Sequence, residues 1–140
     1  MVGAASTAER VHAAAIHVLR LVRARDEADG LSPARLSLLS VLVFAGPATV
    51  KALAEAEGIS SPSATSLVNG LEAAGLARRS RNAHDGRAVD VAVTAKGRAA
   101  FERARRRRLA QLTTLLEALP AGELEALERA TDVLLRLRRV

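Results

Sequence analysis

The stretch from residue 60 to residue 94 has the pattern of a short helix followed directly by a two-stranded hairpin with a basic tip. Apolar residues recur at three- and four-residue steps until Gly75, which is typical of the end of a helix. From residue 89 to residue 93, valine alternates with other residues as in a half-buried strand. This order is that of a winged helix-turn-helix, in which one helix enters the major groove of DNA and the hairpin loop reaches the adjacent backbone or minor groove. The pattern therefore predicts double-stranded DNA as the partner.

The remainder of the fold must be built almost without aromatic side chains. The chain has 140 residues, enough for one domain with its own core. Its aromatic residues of the Phe, Tyr and Trp types are Phe44 and Phe101 alone. Aliphatic side chains must fill the interior, and a composition rich in Leu and Ala favours closely packed helices. We therefore expect a mainly α protein with a small antiparallel β-wing. Single-stranded nucleic acid is disfavoured as a partner, because its bases stack on aromatic platforms.

Positive charge is concentrated in one part of the chain. The net charge is +6, and residues 76–108 contain eleven Lys and Arg against three acidic residues, a local excess of eight. This asymmetry suits a polyanion bound on one face. The run from Arg105 to Arg108 is the densest part, but four successive helical residues point in four directions and do not form one patch. We expect some of them to face solvent and others to cover neighbouring helices with their stems, and whether the run touches DNA stays open.

Several classes of function are disfavoured by what the sequence lacks. The absence of cysteine excludes disulfides and thiolate metal sites. There is no apolar run of about 20 residues and no start typical of a signal peptide, so we expect a cytoplasmic protein without a membrane partner. His12 and His17 are five positions apart, about 140° around a helix, so they do not share a face as metal ligands would, and no cofactor is expected. No catalytic grouping stands on an element that would orient it, which predicts that the protein is not an enzyme.

Capping and turn residues predict the order of the elements. The predicted helices and strands are a helix from Ser6 to about Ala28, closed by Asp29-Gly30, a central buried helix from Pro33 to Phe44, a short helix over 50–57, a second short helix from Pro62, strands over 76–81 and 88–93, a long helix over 95–119 and a last helix over 123–138. The predicted N-caps are Ser6, which has capping-box spacing to Glu9, and then Ser32, Thr49, Ser61 and Thr94. Gly58 stands where the turn between the two short helices needs a positive φ.

The second short helix has a polar, short-chained and uncharged face opposite its apolar one. Its apolar positions are Ala64, Leu67, Val68 and Leu71. Because the exposed side chains are small, the helix backbone is able to approach a groove closely. The predicted DNA contacts are Ser61, Ser63, Thr65, Ser66 and Asn69 on this helix and Arg78, Arg81 and Arg87 on the hairpin.

The terminal helices carry more apolar surface than the small winged unit is able to cover. Two copies that pack these helices together would bury it and place two recognition helices side by side, as a twofold DNA-binding dimer requires. We therefore expect a homodimer of a single domain over residues 1–140. Its winged helix-turn-helix would span about 33–94, and its dimerisation helices would span about 6–28 and 95–140.

Three motifs, in this order and spacing, resemble those of the MarR (multiple-antibiotic-resistance regulator) family of bacterial transcription factors. They are Leu71-Glu72-Ala73-Ala74-Gly75-Leu76-Ala77-Arg78-Arg79, then Asp85-Gly86-Arg87, then Val93-Thr94-Ala95-Lys96-Gly97. They are similar to the family's helix end, its Asp-x-Arg wing tip and the start of its long dimerisation helix. The resemblance covers nearly the whole chain.

The resemblance implies a homodimeric winged-helix protein, usually a repressor, that binds a pseudo-palindromic operator and is released by a small-molecule effector. It also implies that Arg87 enters the minor groove, where a guanidinium suits the negative potential of a narrow groove. Asp85 would hold the wing by pairing with a nearby arginine. Inducers in the family often sit between the first, second and fifth helices and the winged domain, which makes His12, His17 and Arg20 candidate pocket residues.

The sequence departs from the family pattern at Ser66 and near Gly70, where long basic residues are frequent. Bidentate readout of guanine by an arginine of this helix is therefore not expected, and binding should depend on phosphate contacts and fall steeply with salt. The departure leaves an alternative open, a winged-helix protein–protein interaction module that has lost specific DNA binding. Mobility shifts against competitor DNA separate the two hypotheses.

Overall fold

The computed structural model describes residues 2–23 and 31–137. Within these residues the elements are, in order, α1 (Ala4–Arg23), α2 (Pro33–Ala45), β1 (Ala48–Thr49), α3 (Val50–Glu57), α4 (Ser61–Ala73), β2 (Ala77–Arg81), β3 (Val89–Val93), α5 (Ala95–Glu117) and α6 (Ala121–Arg136). The prediction of a mainly α protein with a small antiparallel β-wing is confirmed. The predicted end of the first helix at Ala28 and its closing Asp29-Gly30 turn lie outside the described residues.

Side-chain hydroxyls cap three of the helices as predicted. The hydroxyls of Ser32, Thr49 and Thr94 each accept a backbone N–H from the residue three positions further on, at 3.0–3.2 Å. Each bond satisfies an N–H that has no partner inside its helix. The turn between α3 and α4 is also as predicted, because Gly58 has a φ of 66°.

Two predicted N-caps are wrong. Ser60, and not Ser61, caps α4, since its Oγ accepts the backbone N–H of Ser63 at 3.2 Å. Pro62 is the second helical residue, a position that tolerates proline because its N–H would have no helical partner. Ser6 lies inside α1, which begins at Ala4, and its hydroxyl donates to the carbonyl of Gly3.

The wing belongs to a three-stranded antiparallel sheet in the order β1-β3-β2. Between β2 and β3, Ala77 lies opposite Val93 and Arg81 lies opposite Val89. The predicted two-stranded ribbon therefore has a third member, β1, which pairs Ala48 with Val91. A strand of two residues has no room for an alternation pattern, so the sequence does not reveal it. The third strand joins the wing to the start of α3 and supports a ribbon too small to be stable alone.

The core lies around α2, as the sequence predicts. Leu38, Leu39 and Leu42 are fully buried and belong to one cluster with side chains of α3, α4, β3 and α5. At the end of α2, the Phe44 ring meets that of Phe101 edge to face, with 5.5 Å between the ring centroids. The winged unit is thus packed on α5 through its central helix.

A second connection joins α4, β2 and the start of α5. Lys96 Nζ donates to the carbonyl of Ala74 at 2.9 Å, at the carboxyl end of α4, where the helix dipole favours a cation. Thr94 Oγ1 donates to the carbonyl of Gly75 at 2.6 Å. Gly97 lies so close to β2 that a Cβ there would overlap the carbonyl oxygen of Leu76. The orientation of the long helix relative to α4 therefore depends on a glycine.

Apolar side chains remain exposed on both terminal helices. On α6 no residue is buried, and Leu127 and Leu134 are 44% and 42% exposed. On α1, Val11, Ile16 and Val18 are also exposed. Among the described helices, none combines the length and the apolar composition needed to span a membrane.

Candidate nucleic-acid interface

The polar face of α4 lies on the surface of the protein. Its five predicted contact residues, Ser61, Ser63, Thr65, Ser66 and Asn69, are all exposed. On the opposite side, Ala64, Val68 and Leu71 are fully buried against the core. The Oγ of Ser63 accepts a hydrogen bond from the Oγ of Ser60 at 2.8 Å, so this hydroxyl also takes part in the cap. The structure thus presents the helix as a recognition helix needs to be presented.

The α4 helix has no positive residue of its own, and arginines of other elements lie on two sides of it. Glu72 is its one charged side chain. On one side, the guanidinium of Arg35 from α2 occupies the space that a Cβ at Gly70 would need. On the other side, Arg79 of β2 forms an ion pair with Glu72. Positive charge therefore reaches the helix from its neighbours.

Arg79 connects the wing to α4. Its backbone N–H donates to Glu72 Oε1 at 3.0 Å, and its Nη1 donates to Glu72 Oε2. Its Nη2 donates to Asn69 Oδ1 at 2.9 Å. Arg79 and Glu72 are about one third exposed, with side-chain exposures of 29% and 33%. The start of the wing and the exposed face of α4 are therefore held in one arrangement.

Asn82 organises the tip of the wing. Its Oδ1 accepts the backbone N–H groups of His84 at 2.8 Å and of Asp85 at 3.0 Å, and its Nδ2 donates to Asp90 Oδ2 at 2.9 Å. Asparagine favours such local bonds in turns. The amide thus holds the loop to both strands of the hairpin.

Asp85 binds the backbone of the wing loop. Its Oδ1 accepts the backbone N–H of Arg87 at 3.0 Å, and within the described residues its carboxylate makes no ion pair with an arginine. This bond is local, since an aspartate in a tight loop reaches the backbone two residues on, and the arginine pairing that the resemblance implies stays a prediction. Arg87 is exposed at the wing tip, where a guanidinium is accessible to a ligand.

The two other predicted arginines of the wing lie on opposite faces of β2. Successive strand residues alternate between faces, so Arg81 shares the face of Arg79, which turns toward α4, and Arg78 lies on the other face. Both are exposed. The structure places Arg81 on the face of β2 that turns toward α4 and Arg78 on the opposite face.

A cavity of about 420 Å³ lies between α1, α2 and α5. Leu36, Phe44 and Phe101 contribute apolar walls, and Arg23, Arg105 and Arg108 bring positive charge. The predicted pocket residues His12, His17 and Arg20 are exposed on α1 and line neither this cavity nor a second one beside Arg107. Their role in binding a ligand stays a prediction.

The arginine run does not form one patch, as the sequence predicts. Arg105 lines the first cavity, Arg107 lines the second, and Arg108 lies between them and lines both. Arg106 is exposed. In residues 2–23 and 31–137, no three His, Asp or Glu side chains are grouped as a metal ion would require.

The sequence model of the MarR family matches residues 29–88. An HTH-type transcriptional regulator of Mycobacterium tuberculosis is 33% identical to this chain over 124 residues, which make up 89% of this chain and 87% of that protein. The chain belongs to the MarR family. The resemblance read from the three motifs is thereby confirmed, and the protein is a transcriptional regulator from a family whose members are not enzymes.

Solved structures of MarR-family proteins have the same fold. MarR from Escherichia coli superposes with a TM-score of 0.83 at 20% identity, covering 96% of this chain and 98% of that one. A mutant of E. coli MarR complexed with operator DNA superposes with a TM-score of 0.68 at 22% identity, covering 91% and 92%. At these identities the likeness establishes the winged-helix fold.

Three residues of the candidate interface were missed by sequence reasoning, namely Arg35, Arg79 and Asn82. Asn82 carries a local signal, since an asparagine that opens a turn followed by Asp-Gly favours bonds to its own loop. Arg35 carries none, because it contacts α4 only through the packing of α2, which is separated from α4 along the chain. The sequence alone does not distinguish Arg79 from its neighbour Arg78, because the face of the sheet on which each lies depends on the register of β2.

Proposed function

We propose that the protein is a homodimeric repressor that occupies a pseudo-palindromic operator in double-stranded DNA and leaves it when a small molecule binds. The observation that carries this proposal is the exposed polar face of α4, held by Arg79 beside a wing whose tip presents Arg87. A helix for the major groove next to a cation for the minor groove is what winged-helix recognition needs. A bacterial regulator that binds operator DNA would act in the cytoplasm, where the chromosome lies.

The exposed apolar side chains on the terminal helices support the homodimer. Leu127 and Leu134 stand seven positions apart on α6, so they share one face of the helix, and Val11 and Val18 are related in the same way on α1. Two subunits that cover these faces with each other would bury them. The dimer would use residues of 6–28 and 95–140 and leave about 33–94 free for DNA, with two α4 helices on one duplex.

Because α4 carries no Lys or Arg side chain, we expect operator binding to depend mainly on contacts with the phosphate backbone of the duplex. Small side chains such as Ser66 allow a close approach to the groove, and the flanking arginines add positive charge beside the helix. The number of phosphates that are neutralised then sets how steeply affinity falls with salt. Ser61, Ser63, Thr65 and Ser66 would bind phosphates or base edges from the helix, and Arg78, Arg81 and Arg87 would act from the wing.

Arg87→Ala is expected to lower operator affinity by about tenfold or more, because a charge-assisted contact is lost in each subunit. The slope of log affinity against log salt concentration should become shallower by about one for each arginine that contacts DNA. Fluorescence anisotropy at several salt concentrations measures both quantities. Arg129→Ala, which removes an equally positive and largely exposed side chain from α6, is the matched control and should leave both unchanged. Equal affinity and slope in Arg87→Ala and the wild type would contradict the role of the wing.

The cavity between α1, α2 and α5 supports an effector with an apolar body and a negative charge. Apolar walls bury the body, and the arginines at 23, 105 and 108 favour a carboxylate. Because the cavity joins α5 to α2, which packs on α4, a ligand there is placed to change how the two recognition helices are spaced.

Benzoate is expected to bind this cavity and to weaken operator binding, as measured by isothermal titration and by anisotropy. Arg105→Ala should lower its affinity at least about fivefold, since a charge-assisted bond is removed. Arg106→Ala is the control, because this arginine lines neither cavity. His17→Ala tests the pocket that the resemblance implies. Benzoate affinity that depends on His17 and not on Arg105 would move the site to the histidines, and affinity that depends on neither would contradict both assignments.

A further inference from the structure

On the exposed face of α4, the side chain of Asn69 is bound by a neighbouring element, the strand β2. Asn69 lies three positions before Glu72, so the two side chains are neighbours on the same side of the helix. Arg79 reaches both, with one guanidinium nitrogen on Glu72 and the other on Asn69.

The chemistry of arginine determines which atom of the Asn69 amide it contacts. A guanidinium has donors only, so its partner must be the amide oxygen and not the amide nitrogen. The Nη2–Oδ1 distance of 2.9 Å is that of a full hydrogen bond. The NH₂ group of Asn69 is then left on the far side of the amide, without a partner among the described residues.

Arg79 is itself firmly held, which makes this orientation a property of the free protein. Its backbone N–H and its guanidinium both bind Glu72, and the pair is only about one third exposed. Because Arg79 is already held by Glu72, the Asn69 amide that it binds loses little conformational freedom when DNA binds. The amide is therefore oriented before the protein meets the duplex.

We propose that Arg79 is a positioning residue that makes Asn69 a pure hydrogen-bond donor toward the major groove. A freely rotating asparagine pairs with adenine through both atoms of its amide, accepting from N6 and donating to N7. With its oxygen turned to Arg79, Asn69 selects a base edge that offers acceptors and no donor. Guanine, with O6 and N7, satisfies the NH₂ group best. This inference rests on the proposed placement of α4 in the major groove.

The test is selection of binding sites from random duplexes by the purified homodimer and its variants. Asn69→Ala identifies the operator position that Asn69 reads, as the position in each half-site where base preference disappears. The wild type should prefer guanine there by roughly fivefold over adenine, the effect of one hydrogen bond. Arg79→Gln should shift that position toward adenine and leave the preferences elsewhere unchanged. Arg78→Gln, on the other face of the same strand, is the matched control and should shift no preference.

Asn69→Asp provides a second test that retains Arg79. The carboxylate pairs with the guanidinium and presents only acceptors to the groove, so the preference should change from guanine to cytosine, whose N4 amino group is a donor. This variant remains informative if Arg79→Gln unfolds the wing.

The outcomes distinguish this inference from the proposed function. If the wild type selects no sequence at all, the proposed function fails. If it selects a half-site but Asn69→Ala loses no preference, or the position read by Asn69 prefers adenine in the wild type, only the present inference is overturned. The same holds if both Arg79→Gln and Asn69→Asp retain the wild-type base at that position.

Discussion

Leu134→Glu is expected to convert the dimer to monomers and to lower operator affinity by roughly a hundredfold or more. The leucine is 42% exposed on the apolar face of α6, and the proposed dimer would bury it against a second copy. A carboxylate in such an interface is costly to desolvate without a partner. A monomer binds one half-site alone and loses the gain from joining two binding events in one molecule, which is typically a factor of 10² or more. Analytical ultracentrifugation gives the oligomeric state, and a mobility shift gives the affinity.

The control for this variant lies on the polar face of the same helix. Arg129→Gln lowers the charge of each subunit by one, as Leu134→Glu does, and its side chain is 71% exposed. It should remain dimeric with unchanged affinity. A Leu134→Glu protein that stays dimeric and binds the operator normally would show that α6 is not part of the interface.

Gly97→Ala is expected to lower the free energy of unfolding by about 1–3 kcal/mol, the usual cost of an added atom in a packed site. The added Cβ would overlap the carbonyl oxygen of Leu76 and press on Val93. A backbone atom is unable to move aside as the end of a flexible side chain does. The bond between the backbone N–H of Thr94 and the Leu76 carbonyl, 3.1 Å long, would be strained, and α5 would shift relative to the wing. Urea denaturation followed by circular dichroism measures the change.

Gly122→Ala makes the same chemical change where there is space. Apart from its chain neighbours and the backbone of its own helix, no atom of the described residues lies within 4 Å of a Cβ added at Gly122, near the start of α6. Alanine is the better helix former by up to about 1 kcal/mol, so this variant should be as stable as the wild type or more stable. Equal stability of Gly97→Ala and Gly122→Ala would show that the contact between α5 and β2 is loose.

Much of the fold depends on local sequence features, such as helix caps and apolar periodicity, and these features predict it. Ser32, Thr49 and Thr94 are predictable caps, because each hydroxyl accepts the backbone N–H three residues further on and needs no contact outside that turn. The apolar side of α4 followed from its period, and the strand β3 followed from its alternating valines. Errors at helix starts, as at Ser60 and Ser61, arise because adjacent serines offer the same chemistry and packing selects between them.

The parts that the sequence does not reveal depend on contacts between different elements. The Arg79 guanidinium meets Asn69 across ten positions, and this requires both the turn at Gly75 and the register of β2. Arg35 and Gly70 meet only because α2 crosses α4. The family resemblance implies an arginine partner for Asp85, and the loop geometry adds a bond from the backbone N–H of Arg87. Local chemistry predicted the elements, and their packing determines the composition of the interface.

Selection of sites from random duplexes by the wild-type protein is the decisive test of operator recognition. We expect an enriched sequence with two inverted half-sites whose centres lie about one helical turn apart, roughly 10 base pairs, bound by one dimer. Binding without an enriched sequence, lost equally from all duplexes as salt is raised, would contradict it and favour the protein–protein interaction module.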